Sequence, residues 1–152
     1  METKFILLVE DNCNDELLAK RAFQRNRIPN RLVVVRDGAE ALDFLFGTGA
    51  HVGRNLKEQP ALVLLDLKLP KVDGLEVLRR LRAVEHTSAL PVVVLSSSDE
   101  EGDLRESHRL GVDSYIRKPV NFKEFVEAIG LLGVHWLKLE DSTGAPGGMK
   151  LP

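Results

Sequence analysis

The chain has 152 residues, a formal net charge of −2 and one cysteine, with 43% hydrophobic and 29% charged residues. That length suits a single domain with a continuous core, and the charge lacks the basic excess of a nucleic-acid-binding surface. The lone Cys13 excludes an internal disulfide and fits a reducing cytosol, while the absence of a signal-peptide pattern or bilayer-length apolar run points to a soluble cytoplasmic domain without a membrane partner.

Taken in chain order, the apolar run Phe5-Ile6-Leu7-Leu8-Val9 ends abruptly in Glu10-Asp11 and predicts a first buried strand. Residues 12–25 carry Leu17, Leu18, Ala22 and Phe23 at roughly helical spacing, and Ile28-Pro29-Asn30 breaks the pattern. Residues 32–35 form a short β-branched run that stops at Asp37-Gly38; residues 39–46 place Ala41, Leu42 and Leu45 on one helical face. Residues 47–60 are polar and contain glycine, which predicts a surface loop. The third run, Ala61-Leu62-Val63-Leu64-Leu65, is closed by Asp66, and the chain turns through Leu67-Lys68-Leu69-Pro70. Gly74 opens a helix with Leu75, Leu78 and Leu81 on one side and Arg79, Arg80 and Arg82 on the other.

A fourth run, Pro91-Val92-Val93-Val94-Leu95, ends in Ser96. Residues 99–110 predict a helix whose apolar stripe is little more than Leu104 and Leu110, so its attachment is marginal and its charged residues read as a solvated face. Residues 113–117 form the fifth strand and end in Lys118-Pro119. The last helix, from about residue 121 to 139, repeats Phe122, Phe125, Val126, Ile129, Leu132 and Trp136. A Gly/Pro-rich tail over residues 141–152 follows a domain spanning residues 1–140.

Five such βα units with right-handed crossovers give an α/β, doubly wound parallel sheet with helices on both faces. Strand order 2-1-3-4-5, flavodoxin-like, puts the first and third strands side by side. Glu10, Asp11 and Asp66 then meet at the carboxyl edge, with Ser96 and Lys118 on the same edge. Three carboxylates at about 5 Å and an effective dielectric of about 20 repel by on the order of 3 kcal/mol per pair, which a raised pKa, a nearby cation or both must offset. Hard oxygen ligands in a small cluster suit Mg²⁺. With a lysine and a hydroxyl added, the set suits phosphoryl transfer with an aspartate as nucleophile.

The joint pattern of Glu10-Asp11, Asp66 with Pro70 and Asp73-Gly74, Ser96, and Lys118-Pro119 resembles the receiver domain of two-component response regulators (CheY-like) over residues 4–139. The resemblance implies that Asp66 is the phosphoacceptor and that Glu10, Asp11, Asp66 and the Lys68 backbone carbonyl hold Mg²⁺. It further implies that Lys118, Ser96 and Ser97 contact the phosphoryl group, that Pro119 follows a cis peptide, and that Ser96 and Tyr115 form the switch. The loop at 47–60, the Leu-Pro-Lys-Val-Asp-Gly stretch and the Ser96-Ser97-Ser98 run are similar to stand-alone receivers paired with phytochrome-type histidine kinases. The implied partners are a histidine kinase or histidine phosphotransfer protein, and a second copy through the helix 4–strand 5–helix 5 face. Phe125 and Trp136 suit either the core or an exposed partner face, and the apolar surplus on the last helix tilts the balance modestly toward the latter.

Taken singly, the residues have ordinary readings: Glu10-Asp11 and Asp66 as turn or cap residues, Tyr115 as core, Cys13 as an inert thiol. His51, His86, His108 and His135 show no metal-ligand spacing. Two other doubly wound folds compete. An aspartate-nucleophile phosphatase of the haloacid dehalogenase type needs a general acid two residues past the nucleophile, where this chain has Lys68. A flavin carrier needs a phosphate-cradling loop after the first strand, where Glu10-Asp11-Asn12-Cys13 would repel phosphate. A degenerate receiver is a third alternative, against which the complete set of acids, hydroxyl and lysine argues.

Overall fold

In the computed structural model, which describes residues 4–96, 101–118 and 121–136, five parallel strands form one sheet of order β2-β1-β3-β4-β5. The strands are β1 (Ile6–Val9), β2 (Leu32–Val35), β3 (Leu62–Asp66), β4 (Val92–Ser96) and β5 (Ser114–Arg117). Between and after them run α1 (Cys13–Arg25), α2 (Gly38–Phe46), α3 (Gly74–Ala83), α4 (Glu101–Arg109) and α5 (Phe122–Trp136). A 3₁₀ turn, Gly49–His51, interrupts the loop expected at 47–60. The expected tail at 141–152, Ser97 and Pro119 lie outside the described residues.

Strand pleating divides the sheet's side chains between two cores. Leu7, Val9, Val63, Leu65, Val92 and Val94 pack with Leu42, Leu45, Leu78 and Leu81 of α2 and α3. Ile6, Leu8, Leu62, Leu64, Val93 and Leu95 pack with Ala19, Phe23, Phe125, Ile129 and Leu132 of α1 and α5. The central strands β1, β3 and β4 are buried along their whole length, as continuous apolar runs require. Each fully buried Leu or Ile contributes roughly 1.5–3 kcal/mol, so these two layers supply most of the favourable free energy.

The turns that leave the carboxyl edge are built alike. Asn12 caps α1 by accepting from the Asn14 and Asp15 N–H groups; Asp37 caps α2 and Asp73 caps α3 through Glu40 and Glu76. Gly74 is required where α3 begins: a Cβ there would lie 2.3 Å from the Asp66 carbonyl oxygen. The missing side chain lets α3 start directly against the end of β3.

The opposite edge differs from its sequence reading. Arg82, expected on the solvent side of α3, is half-buried and donates to four backbone carbonyls. Its Nε reaches Leu110 at 2.7 Å, Nη1 reaches Ser88 at 2.9 Å and Leu90 at 2.7 Å, and Nη2 reaches Gly111 at 3.1 Å. A long side chain leaves its own helix face and bonds elsewhere, which a helical wheel does not capture. The charged face of α4 is likewise engaged: Glu106 bonds Arg79 of α3 and Arg109. Phe125 is 3% exposed and belongs to the core rather than to an open partner face. Among the described residues no helix is long and apolar enough to cross a membrane.

Candidate functional site

Four strand ends bring the site together. Glu10 follows β1, Asp66 is the last residue of β3, Ser96 is the last of β4, and Lys118 follows β5. Register places Val9 beside Leu65 and Asp66 beside Leu95, so the acids of β1 and β3 are neighbours across the strand pair. Glu10, Asp11 and Asp66 each offer a carboxylate oxygen, and the three oxygens lie within 4.8 Å of one another. Glu10 and Asp66 are buried, whereas Asp11 is exposed and forms the solvent side of the cluster.

Lys118 is the cation at its centre. Its Nζ donates to Glu10 Oε1 at 2.6 Å, Asp15 Oδ2 at 2.8 Å and Asp66 Oδ2 at 3.0 Å, which occupies all three ammonium protons. Asp66 is fixed from the other side by the Lys68 N–H, which donates to Oδ1 at 3.0 Å. Glu10 Oε2 accepts from the Asn12 N–H at 3.2 Å. Three carboxylates thus bond one ammonium, with Asp11 in the same cluster, so negative charge is in excess. Burial pushes the Glu10 carboxyl up to about 7, with the Asp66 charge adding to the rise and Lys118 and the Asn12 N–H opposing it. Burial alone would pull Lys118 down, but its bonds to Asp15 and Glu10 and the charge of Asp66 outweigh it and hold the amine above its ordinary value. Lys118 stays cationic throughout the physiological range.

The donor set meets the requirement for a hard divalent cation: three carboxylate oxygens, one of them open to water, with too little positive charge nearby. Beside it opens a cleft of about 350 Å³ lined by Asp11, Lys68, Pro70, Asp73 and Asp103 among others. The Lys68 side chain leans across this cleft toward Asp103 of α4, at 3.9 Å. An ion-paired lysine thus stands where an aspartate-nucleophile phosphatase would carry its carboxylic acid.

Ser96 is fully buried, and its carbonyl accepts from the Lys118 N–H at 2.8 Å. Tyr115 is half-buried, pairs with Val94 in the sheet and packs against the core shared with α2 and α3. Cys13 is exposed at the start of α1. His51 lies 3.5 Å from Glu40 and stacks edgewise on Phe44, His86 approaches the Leu45 carbonyl at 3.4 Å, and His108 is exposed. None of these three joins the site. The contact that strand-end reasoning misses is Asp15, which reaches Lys118 from the first turn of α1. No signal in the sequence marks it, because an acid in a helix's first turn already has an ordinary role at the positive end of the helix.

The family model of the response regulator receiver domain matches residues 6–130. The chain belongs to that family. It is 42% identical over 139 residues to the probable methanogenesis regulatory protein FilR2 of Methanothrix harundinacea, covering 91% of this chain and 87% of the relative. Response regulator Rcp1 of Synechocystis sp. is 36% identical, covering 89% of this chain and 90% of the relative. A structure of Rcp1 in a Mn²⁺-bound form superposes with a TM-score of 0.79, over 91% of this chain and 97% of that one. The bacteriophytochrome response regulator RtBRR is 47% identical with a TM-score of 0.77, covering 96% of this chain and 86% of that one. As a receiver, this chain is a phosphoaccepting signalling module rather than a turnover enzyme.

Proposed function

We propose that Asp66 accepts a phosphoryl group from a phosphohistidine on a sensor kinase or phosphotransfer protein, and that the resulting charge change is the signal. The observation that carries this reading is the clamp on Asp66: the Lys68 N–H on Oδ1 and the Lys118 ammonium on Oδ2, inside the carboxylate cluster. Asp66 Oδ2 forms the new P–O bond while the P–N bond to the donor imidazole breaks, and the imidazole keeps the electron pair and takes up a proton. Lys118 transfers its third hydrogen bond from Asp66 to a phosphoryl oxygen, and the Ser96 hydroxyl donates to another; the receiver resemblance adds Ser97 to these phosphoryl contacts. Glu10, Asp11, Asp66 and the Lys68 carbonyl would hold Mg²⁺, which would supply the charge neutralisation that the clustered carboxylates demand.

Ser96 drawn toward the phosphoryl group leaves space that Tyr115 fills, which alters the face made by α4, β5 and α5 and shifts an existing equilibrium there. RtBRR is named as a bacteriophytochrome response regulator, which supports pairing with a phytochrome-type kinase. A second copy docked on the α4–β5–α5 face belongs to the same proposal. Its test is sedimentation with and without phosphodonor, and an unprotected face on association contradicts it.

The direct test is incubation with Mg²⁺ and acetyl phosphate followed by intact mass. The expected result is one phosphoryl increment, absent in Asp66→Asn and suppressed by a chelator. A folded parent protein that takes up nothing under donor excess overturns the proposal.

A further inference from the structure

Asp15 stands apart from the acids that strand ends supply. It occupies the third position of α1, and its own N–H is held by the capping Asn12 side chain at 3.1 Å. The positive end of α1 favours a carboxylate here. Its Oδ2 accepts from Lys118 Nζ at 2.8 Å across 103 residues of sequence, while its side chain remains about one-third exposed. Glu10 and Asp66, the other two partners of Lys118, both belong to the cluster of three carboxylates that could hold a metal ion; Asp15 does not.

This division sets what happens when the site is occupied. A cation at the cluster draws on Glu10 and Asp66, and a phosphoryl group takes the ammonium's bond to Asp66. Among the described residues, Asp15 is the one anchor of Lys118 that neither event consumes. Lysine is a flexible chain carrying a point charge, and without an anchor its ammonium samples several rotamers. We propose that Asp15 is a positioning residue for phosphoryl transfer: it tethers Lys118 from the first turn of α1 and so keeps the ammonium aimed at the oxygens arriving on Asp66. Because α1 carries this anchor, the site is completed by a helix as well as by four strand ends. The inference rests on Asp66 being the phosphoacceptor.

The experiment compares the parent with Asp15→Ala and Asp15→Asn, each alone and in a Lys118→Met background. Uptake from acetyl phosphate at saturating Mg²⁺ is followed by intact mass over hours, and Mn²⁺ affinity is read from the thermal shift. With Lys118 present, Asp15→Ala slows uptake about tenfold, the low end for loss of an orienting outer-shell partner. Asp15→Asn, which keeps an acceptor but no charge and is close to isosteric, loses less. Mn²⁺ affinity stays within about fivefold of the parent in both, since Asp15 lies outside the metal cluster and its charge is partly exposed. In the Lys118→Met background the same substitutions change the rate less than about twofold, because there is no ammonium left to aim. Equal losses in both backgrounds, no loss with Lys118 present, or a parallel fall in Mn²⁺ affinity overturns the assignment. A parent that takes up no phosphoryl group fails at the earlier step and condemns the Asp66 reading instead.

Discussion

The two edges of the sheet handle buried charge in opposite ways. At the amino edge, Arg82 meets four backbone carbonyls, so one cation is shared among neutral dipoles that need donors anyway. At the carboxyl edge, Lys118 meets three carboxylates with a fourth, Asp11, beside them. The first arrangement is closed: it joins the α3–β4 turn to the α4–β5 turn and asks for nothing more. The second is left with an excess of negative charge and a glutamate whose carboxyl is pushed up to about 7 by its burial. Structure and function thus use similar cations on the same sheet, and the difference lies in whether the surroundings satisfy them.

The sharpest way to break this contrast is Gly74→Ala. Its Cβ would meet the Asp66 carbonyl oxygen at 2.3 Å and the Leu67 Cα at 2.6 Å, both backbone atoms that cannot swing away. Chemical denaturation should show a loss of roughly 3–5 kcal/mol, and metal binding should weaken as β3's end is displaced. A variant of parental stability would mean that α3 does not press on the site as described.

Next in size, Arg82→Ala should cost roughly 2–4 kcal/mol through four carbonyls left without their donor. Divalent-cation affinity measured by calorimetry should stay unchanged, because the two edges share no partner. A fall in affinity would show that they are coupled.

The carboxyl edge should also betray itself through pH. The Glu10 carboxyl lies near 7 in the folded chain against 4.5 unfolded, so the folded state holds the extra proton between those values. Its contribution is fully present below about pH 4.5 and is lost as pH rises through about 7, on the order of 3 kcal/mol in the absence of metal. Denaturation between pH 5 and 8 should show the parent losing stability while Glu10→Gln does not, and added Mg²⁺ should offset the parent's loss at the upper end. Parallel curves for the two proteins would contradict the charge assignment.

The smallest expected effect belongs to the exposed surface. Glu76→Ala removes ion pairs to Arg79 and Arg80 at 3.1 and 2.9 Å, yet should change stability by less than about 1 kcal/mol. Comparison with Arg82→Ala then separates buried from exposed arginine bonds.

How much of this was legible in the sequence follows from the same distinction. Continuous apolar runs marked β1 to β4 to within about a residue or two, because a covered parallel strand admits little else, whereas the half-buried edge strand β5 carries no such run and was placed by its end at Lys118-Pro119. The acids, Ser96 and Lys118 were legible because each interrupts or ends such a run. Asp15 was not, since a polar residue in a helix's first turn has an ordinary capping explanation and its partner lies 103 residues away. Arg82 was misplaced because helical spacing locates Cα atoms, while a guanidinium reaches well beyond its own helix face. Phe125 read as core or interface alike, and only packing against the sheet decided for core.

The central claim is that the unsatisfied edge receives its missing chemistry at Asp66. Reductive trapping tests it most directly: the protein is loaded with acetyl phosphate and Mg²⁺, treated with borohydride, digested and sequenced by mass spectrometry. An acyl phosphate is reduced to the alcohol, so the account predicts homoserine at position 66 and nowhere else. Homoserine at position 11 or 15, the one-carbon-longer alcohol of a reduced glutamyl phosphate at position 10, or an unmodified Asp66 in phosphorylated protein would contradict it.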